Sequence, residues 1–175
     1  MRSASRRAIA LVIVLGVLAS AAAAQTVHLA PATAPSSGRV ASHGEPGQTL
    51  HVSGVVVGPD DRPISSASLY IYQTDHEGYY GVKPVSDNRN PRLKLFLRSG
   101  AKGEWSFDTI KPGSYPNGRV PAHIHFEVAA DGRAANIFEI VFEGDPFVTD
   151  QMRGNPAFSV RPIAGGEVTQ RIVLK

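Results

Sequence analysis

Apolar and polar positions alternate in short runs along most of the chain, the period-two signature of strands with one buried face. Leu50 to Val57 is the first such run, and Ala67 to Gln73 the second, with Leu69, Ile71 and Gln73 on one face. Gly58-Pro59-Asp60-Asp61-Arg62-Pro63 separates them as a turn, which predicts an antiparallel pair. Leu93 to Leu97 alternates weakly. Beyond Ser99-Gly100-Ala101-Lys102-Gly103, the run Glu104 to Ile110 aligns Trp105, Phe107 and Thr109, so a hairpin with a glycine-rich turn is expected there. Ala122 to Val128 and Asn136 to Phe142 form a further pair across Asp131-Gly132-Arg133, and Glu167 to Leu174 alternates as a closing strand. No stretch carries a convincing helical period. The expected architecture is all-β, an antiparallel β-sandwich.

The segments outside these runs have their own character. Residues 1–24 read as a signal peptide, with Arg2, Arg6 and Arg7 ahead of an apolar run from Ala8 to Leu18 and Ala22-Ala23-Ala24 as the cleavage site. Ser5-Arg6-Arg7 also permits a twin-arginine signal. An exported product, periplasmic or extracellular, is expected, with no membrane span in its mature form. Residues 25–48 are rich in Ala, Pro, Ser and Gly and read as a flexible or surface-draped linker, which leaves 49–175 as the domain. Asp75 to Asn90 is irregular and long, and such loops inside compact domains are usually functional.

Composition removes some function classes. The formal charge of +3 belongs to the leader: without Arg2, Arg6 and Arg7, 15 basic residues stand against 15 acidic ones. No nucleic-acid footprint or polybasic membrane patch remains. With no cysteine in the chain, stability must come from core packing, aided by any bound metal.

The chemistry concentrates between Thr109 and Phe126. Ala122, Ile124 and Phe126 alternate with His123 and His125, so both imidazoles leave one face of a strand about 7 Å apart. Such a pair can converge on one metal ion. Tyr115, in a turn after Pro112-Gly113, is placed to fold its phenol back over that face, and Gly78-Tyr79-Tyr80 offers a second tyrosine. His28, His43, His51 and His76 read as solvated or hydrogen-bonded, and Trp105 as core.

Tyr72-Gln73 with Gly78-Tyr79-Tyr80, the run Gly103 to Pro116, Pro121-Ala122-His123-Ile124-His125-Phe126 and Phe142-Glu143-Gly144-Asp145-Pro146 occur in that order. Together they resemble the intradiol ring-cleavage dioxygenases, especially the protocatechuate 3,4-dioxygenase type. The resemblance implies a prealbumin-like sandwich and a non-haem Fe(3+) held by Tyr80, Tyr115, His123 and His125, and it selects Tyr80 over Tyr79. It further implies a catechol substrate cleaved with O2 to a muconate-type diacid, with Tyr115 as the ligand displaced by substrate. Three departures stand out. The arginine usual just before Pro-Ala-His, which stabilises the carbanion-like substrate, is replaced by Val120, with Arg119 one residue earlier as its candidate substitute. Glu139 stands where a glutamine is usual. The short connection from Tyr115 to His123 implies a more open pocket. The helical N-terminal domain of the catechol 1,2-dioxygenases has no counterpart in the sequence, which favours the protocatechuate type.

Rival readings are a secreted β-sandwich module that binds a ligand or matrix component without turnover, a cupin-type enzyme, and a zinc hydrolase. No histidine follows His125, which counts against the cupin. The hydrolase lacks an evident third nitrogen ligand and a water-activating carboxylate.

Overall fold

The computed structural model of the chain describes residues 27–175. The leader reading of residues 1–24 lies outside them. Among the described residues, nine strands build two packed sheets and one helical turn lies outside them. They are β1 (Ser37–Arg39), β2 (Thr49–Val57), β3 (Ser68–Gln73), β4 (Leu93–Arg98), β5 (Glu104–Ile110), β6 (His123–Ala129), β7 (Asn136–Phe142), α1 (Asp150–Gly154), β8 (Phe158–Arg161) and β9 (Glu167–Val173). One sheet has the order β1-β5-β2-β9 and the other β4-β3-β6-β7-β8.

The expected sandwich forms, but its pairing differs from the antiparallel expectation. Strands β1 with β5, β2 with β9 and β7 with β8 run parallel, so both sheets are mixed. Parallel neighbours need long crossovers, and alternation along a strand carries no information about its neighbour's direction. The two hairpins expected early in the chain are also absent. Strand β2 lies in one sheet and β3 in the other, and the same holds for β5 and β4. Their turns cross between the layers, because each strand has one apolar face to bury and facing sheets bury both. The β6–β7 hairpin forms as expected, with His123 opposite Val141 and Val128 opposite Asn136.

The inner faces form the core. Leu69, Ile71, Leu97, Trp105, Phe107, Ile124, Phe126, Ile140 and Ile172 are buried in it. Trp105 tilts against Phe126, with ring centroids 5.5 Å apart, and Phe126 stacks on Phe138 at 5.0 Å. Edge-on and offset arrangements are those that ring quadrupoles favour. Gly54 in β2 leaves room for this packing: a Cβ there would lie 1.8 Å from the Gln170 carbonyl oxygen and 2.7 Å from the Trp105 ring.

Residues 27–48, expected as a linker, are integrated into the sandwich. Residues 37–39 pair with β5, and Ala30, Val40 and Ala41 are buried. The Ala30 amide donates to Ser68 Oγ, and the His28 ring lies 4.6 Å from that of Tyr70. Small apolar residues without periodicity can fill gaps over a sheet, which is why composition alone suggested a linker. Helix α1, unforeseen from the sequence, is one turn capped by Thr149, whose side chain accepts from the Met152 amide. Among the described residues no helix is long and apolar enough to cross a membrane.

Candidate metal centre

Strand β6 divides its side chains. Ile124, Phe126 and Val128 enter the core, so His123 and His125 must leave the opposite face, outside the sandwich. Cross-strand register places Tyr72 of β3 and Glu139 of β7 directly opposite His125, one on each side. The Tyr72 ring stacks on the His125 imidazole at 4.3 Å and 12°.

Two loops close over this face. The first, after β3, is organised by Asp75, whose side chain accepts from the amides of Glu77 and Tyr79. The Asp75 carbonyl accepts from the amides of Gly78 and Gly113, which ties the first loop to the second. Gly78 is indispensable to that approach. It has φ of 90°, and a Cβ there would lie 2.0 Å from the Ser114 carbonyl oxygen. The Arg92 amide donates to the Tyr80 carbonyl and so holds the far side of the first loop. The outcome is that Tyr80, 2% exposed, and half-buried Tyr115 are pushed together over the histidines. Tyr79, its neighbour, is instead close to the Lys83 ammonium.

Four donor atoms converge. Tyr80 Oη lies 2.6 Å from Tyr115 Oη, 2.6 Å from His125 Nε2 and 3.5 Å from His123 Nε2. Tyr115 Oη is 3.1 Å from His123 Nε2, and the two Nε2 atoms are 3.1 Å apart. Donors that share an ion bound at about 2.1 Å are spaced by roughly 3 to 3.5 Å. The sequence therefore named the four residues that the fold brings together.

The tautomers are fixed from behind. His123 Nδ1 is 2.7 Å from the Pro121 carbonyl oxygen, which only accepts, so Nδ1 carries the proton and Nε2 the lone pair. The Pro121-Ala122 segment is itself held by Asp145, whose carboxylate accepts from the Ala122 amide. Asp145 of the Glu-Gly-Asp-Pro stretch is thus more than a turn residue. His125 Nδ1 faces the Glu139 carboxylate at 3.3 Å, which favours the same tautomer. Two lone-pair nitrogens 3.1 Å apart cannot hydrogen-bond to one another. Something positive must lie between them: the phenolic protons of the tyrosines, or a metal ion.

Burial keeps the cluster uncharged while no ion is bound. Burial, the Tyr115 hydrogen bond and the Tyr115 charge push the Tyr80 phenol far above its ordinary range, and burial also raises Tyr115. Neither phenolate is stable without a cation. Burial, with the His123 charge, lowers His125 to about 3, so its imidazole stays neutral and free to ligate. Two phenols that keep their protons until a cation arrives, with two imidazoles aimed at the same point, form a donor set that fits a metal ion. His123, His125 and Glu139 also form a cluster whose donor atoms lie within 4.8 Å. The carboxylate, however, approaches His125 from its Nδ1 side, behind the point where the tyrosines converge. Glu139 supports the donor set; it is not one of the four.

Arg119 is placed differently. It follows the turn closed by the Gly118 amide and the Tyr115 carbonyl, in non-regular chain ahead of β6. It is exposed and outside the four-donor cluster. A cavity of about 380 Å³ opens beside Tyr115, between Tyr79, Pro84 and Ser86 on one side and Tyr115 to Gly118 on the other. Sequence reasoning missed the Asp75 brace and the contact of Gly78 with Ser114. Asp followed three residues later by Gly was the available signal, but its tertiary partner was not.

Comparison with known proteins agrees. The profile described as dioxygenase matches residues 25–171. Over 135 residues the chain is 32% identical to catechol 1,2-dioxygenase 2 of Acinetobacter lwoffii, covering 67% of this chain and 46% of that protein. It is 32% identical over 118 residues to the protocatechuate 3,4-dioxygenase beta chain of Burkholderia cepacia, covering 61% and 50%. The chain thus spans about half the length of these relatives. The dioxygenase domain of a carbohydrate-binding fusion protein from Streptomyces sp. SirexAA-E superposes with a TM-score of 0.61 at 27% identity, over 83% of this chain and 93% of that one. With the match extending over nearly all the described residues and the four donors converging as they do, the chain belongs to the intradiol dioxygenase family.

Proposed function

We propose that the protein is a non-haem Fe(3+) intradiol dioxygenase that cleaves catechol-type aromatics, protocatechuate-like ones included, with O2 to muconate-type diacids. The observation that carries this reading is the convergence of two phenols and two imidazoles whose other nitrogens are already committed. Tyr80, Tyr115, His123 and His125 would hold the iron. Phenolates are hard anionic donors that favour the ferric state, and imidazoles complete the set without charge. Bound iron would supply the Lewis acidity that turns a catechol into an electron-rich dianion able to react with O2.

The remaining roles fall to the chain itself. Tyr80 is buried and held through its neighbours, whereas Tyr115 lines the cavity, so Tyr115 is the donor an entering catechol would displace. Its Oη would then accept one of the two catechol protons. Tyr72 and Glu139 keep His125 oriented, and Pro121 does the same for His123. The loops over Tyr80 exclude water from one side and orient the ring from the other. We further propose export, supported by the arginines and apolar run of residues 1–24.

Metal analysis and a visible spectrum of the protein, repeated after anaerobic addition of catechol and followed by oxygen uptake, test the reading. A coloured ferric protein whose band shifts with catechol and which consumes O2 is expected. A folded protein that stays colourless after iron reconstitution overturns it and leaves a binding module.

A further inference from the structure

The cavity beside Tyr115 has no charged wall. Its lining is aromatic, prolyl, hydroxyl and amide. At its edge, directly after Gly118, stands Arg119. The turn brings this stretch close to the donor tyrosine: a Cβ on Gly118 would lie 3.3 Å from Tyr115 Cβ.

The described residues contain ten arginines. Nine make a hydrogen bond or ion pair: Arg39, Arg89, Arg92 and Arg153 with carboxylates, for example, and Arg98 and Arg133 with backbone carbonyls. Arg62 and Arg171 pair with Asp60 and Asp61, and Arg161 with Gln170. Arg119 makes none among the described residues. Lys83, the other cation near the mouth, is paired with Glu77 at 2.8 Å. Among the described residues, Arg119 is therefore an exposed arginine without a partner, one position after the Gly118 that lines a neutral cavity.

We propose that Arg119 is a specificity-determining residue that pairs with an anionic substituent, a carboxylate or a sulfonate, on the catechol ring. This rests on the proposed dioxygenase reading and adds the substrate's second recognition point. With the two ring oxygens directed at the four-donor centre next to Tyr115, a substituent on the far side of the ring lies toward the mouth. A guanidinium offers a carboxylate two parallel donors. With the arginine's partner arriving on the substrate, no protein carboxylate is needed. The role differs from carbanion stabilisation, which would act on every ring alike.

Arg119→Gln and Arg119→Lys, compared with the unaltered iron-loaded protein, separate the two. Dissociation constants for 3,4-dihydroxybenzoate and catechol would be measured anaerobically by calorimetry at low and high salt, alongside kcat and KM for both. In Arg119→Gln the ratio of the carboxylated ring's dissociation constant to that of catechol rises roughly ten-fold, and the change appears in KM more than in kcat. Arg119→Lys recovers part of it, and salt weakens only the carboxylated ring. An unchanged ratio, or an equal fall of kcat on both rings, overturns the assignment while leaving the dioxygenase reading intact. If the unaltered, iron-loaded protein cleaves neither ring, the dioxygenase reading falls and this assignment with it.

Discussion

Two histidine–carboxylate pairs lie on opposite outer faces of the sandwich. His51 Nδ1 is 2.8 Å from Asp108 on the β2–β5 face, and His125 Nδ1 is 3.3 Å from Glu139 on the β6–β7 face. Both pairs are cross-strand neighbours in register. The first is open to solvent, with side chains 46% and 42% exposed, and Arg39 shares its carboxylate. The second is 14% and 27% exposed, and its histidine turns its other nitrogen onto the Tyr80 phenol and a second imidazole. Pairing is therefore not what makes a site. Burial and convergence are, and both come from the loops that cover one face and leave the other bare.

The comparison breaks most completely if a donor is removed. Tyr80→Phe or His123→Ala should lower metal affinity by more than the roughly 10–100-fold typical of residues that merely support a ligand, with loss of the visible band expected of the proposed ferric centre. Metal titration checks this. Retained colour and affinity in both variants would remove the four-donor assignment.

Uncovering the face should come next. Gly78→Ala places a methyl 2.0 Å from the Ser114 carbonyl on a residue with positive φ, so the loops must part. A stability loss of about 1–3 kcal/mol or more by chemical denaturation, with weakened iron retention, is expected. A variant as stable as the parent and still coloured would show that the two loops do not depend on this contact.

Glu139→Gln sharpens the role of the buried carboxylate. It should lower metal affinity by roughly 10–100-fold and shift the charge-transfer band, whereas Asp108→Asn should change neither. A Glu139→Gln protein with parental affinity would make Glu139 a bystander.

The pH response should separate the faces further. His125 in the metal-free protein is depressed from about 6.5 to about 3. The unfolded chain therefore binds its proton first, and stability present above about pH 6.5 is lost as pH falls toward 3. Burial raises the Glu139 carboxyl, which acts with the opposite sign, so the loss is clearest in Glu139→Gln. Denaturation midpoints from pH 8 to 4 would show it, and a flat profile in that variant would contradict the burial of a neutral His125. The smallest effect belongs to the exposed pair: Asp108→Asn should cost under about 1 kcal/mol. Hydrogen bonding to His51 lowers Asp108, so its contribution is present above the ordinary aspartate range and disappears in acid.

Much of the site was legible because its residues carry rare chemistry at fixed spacing. The two histidines share a face by strand periodicity alone, and the two tyrosines stand in turn-rich stretches. The fold was less legible in its pairing than in its strands. The β6–β7 hairpin followed from a local turn, while β2 and β3, also joined by a clear turn, went to different sheets. Ser37 to Arg39 was hidden because a three-residue parallel edge leaves no alternation to read. Ser159 and Arg161 in β8 contact Gln170, which no local pattern specifies.

The sequence by itself determined the class, the strands β2 to β7 and β9, and the two tyrosines and two histidines that converge, since each depends on residue type and local period. Tertiary structure decided which strands pair in parallel, that residues 27–48 belong to the sandwich, that Glu139 stands behind His125, and that Arg119, next to the cavity-lining Gly118, has no partner among the described residues. Those outcomes are set by contacts between residues far apart in the chain. Their free energy depends on packing geometry, which a one-dimensional pattern does not carry.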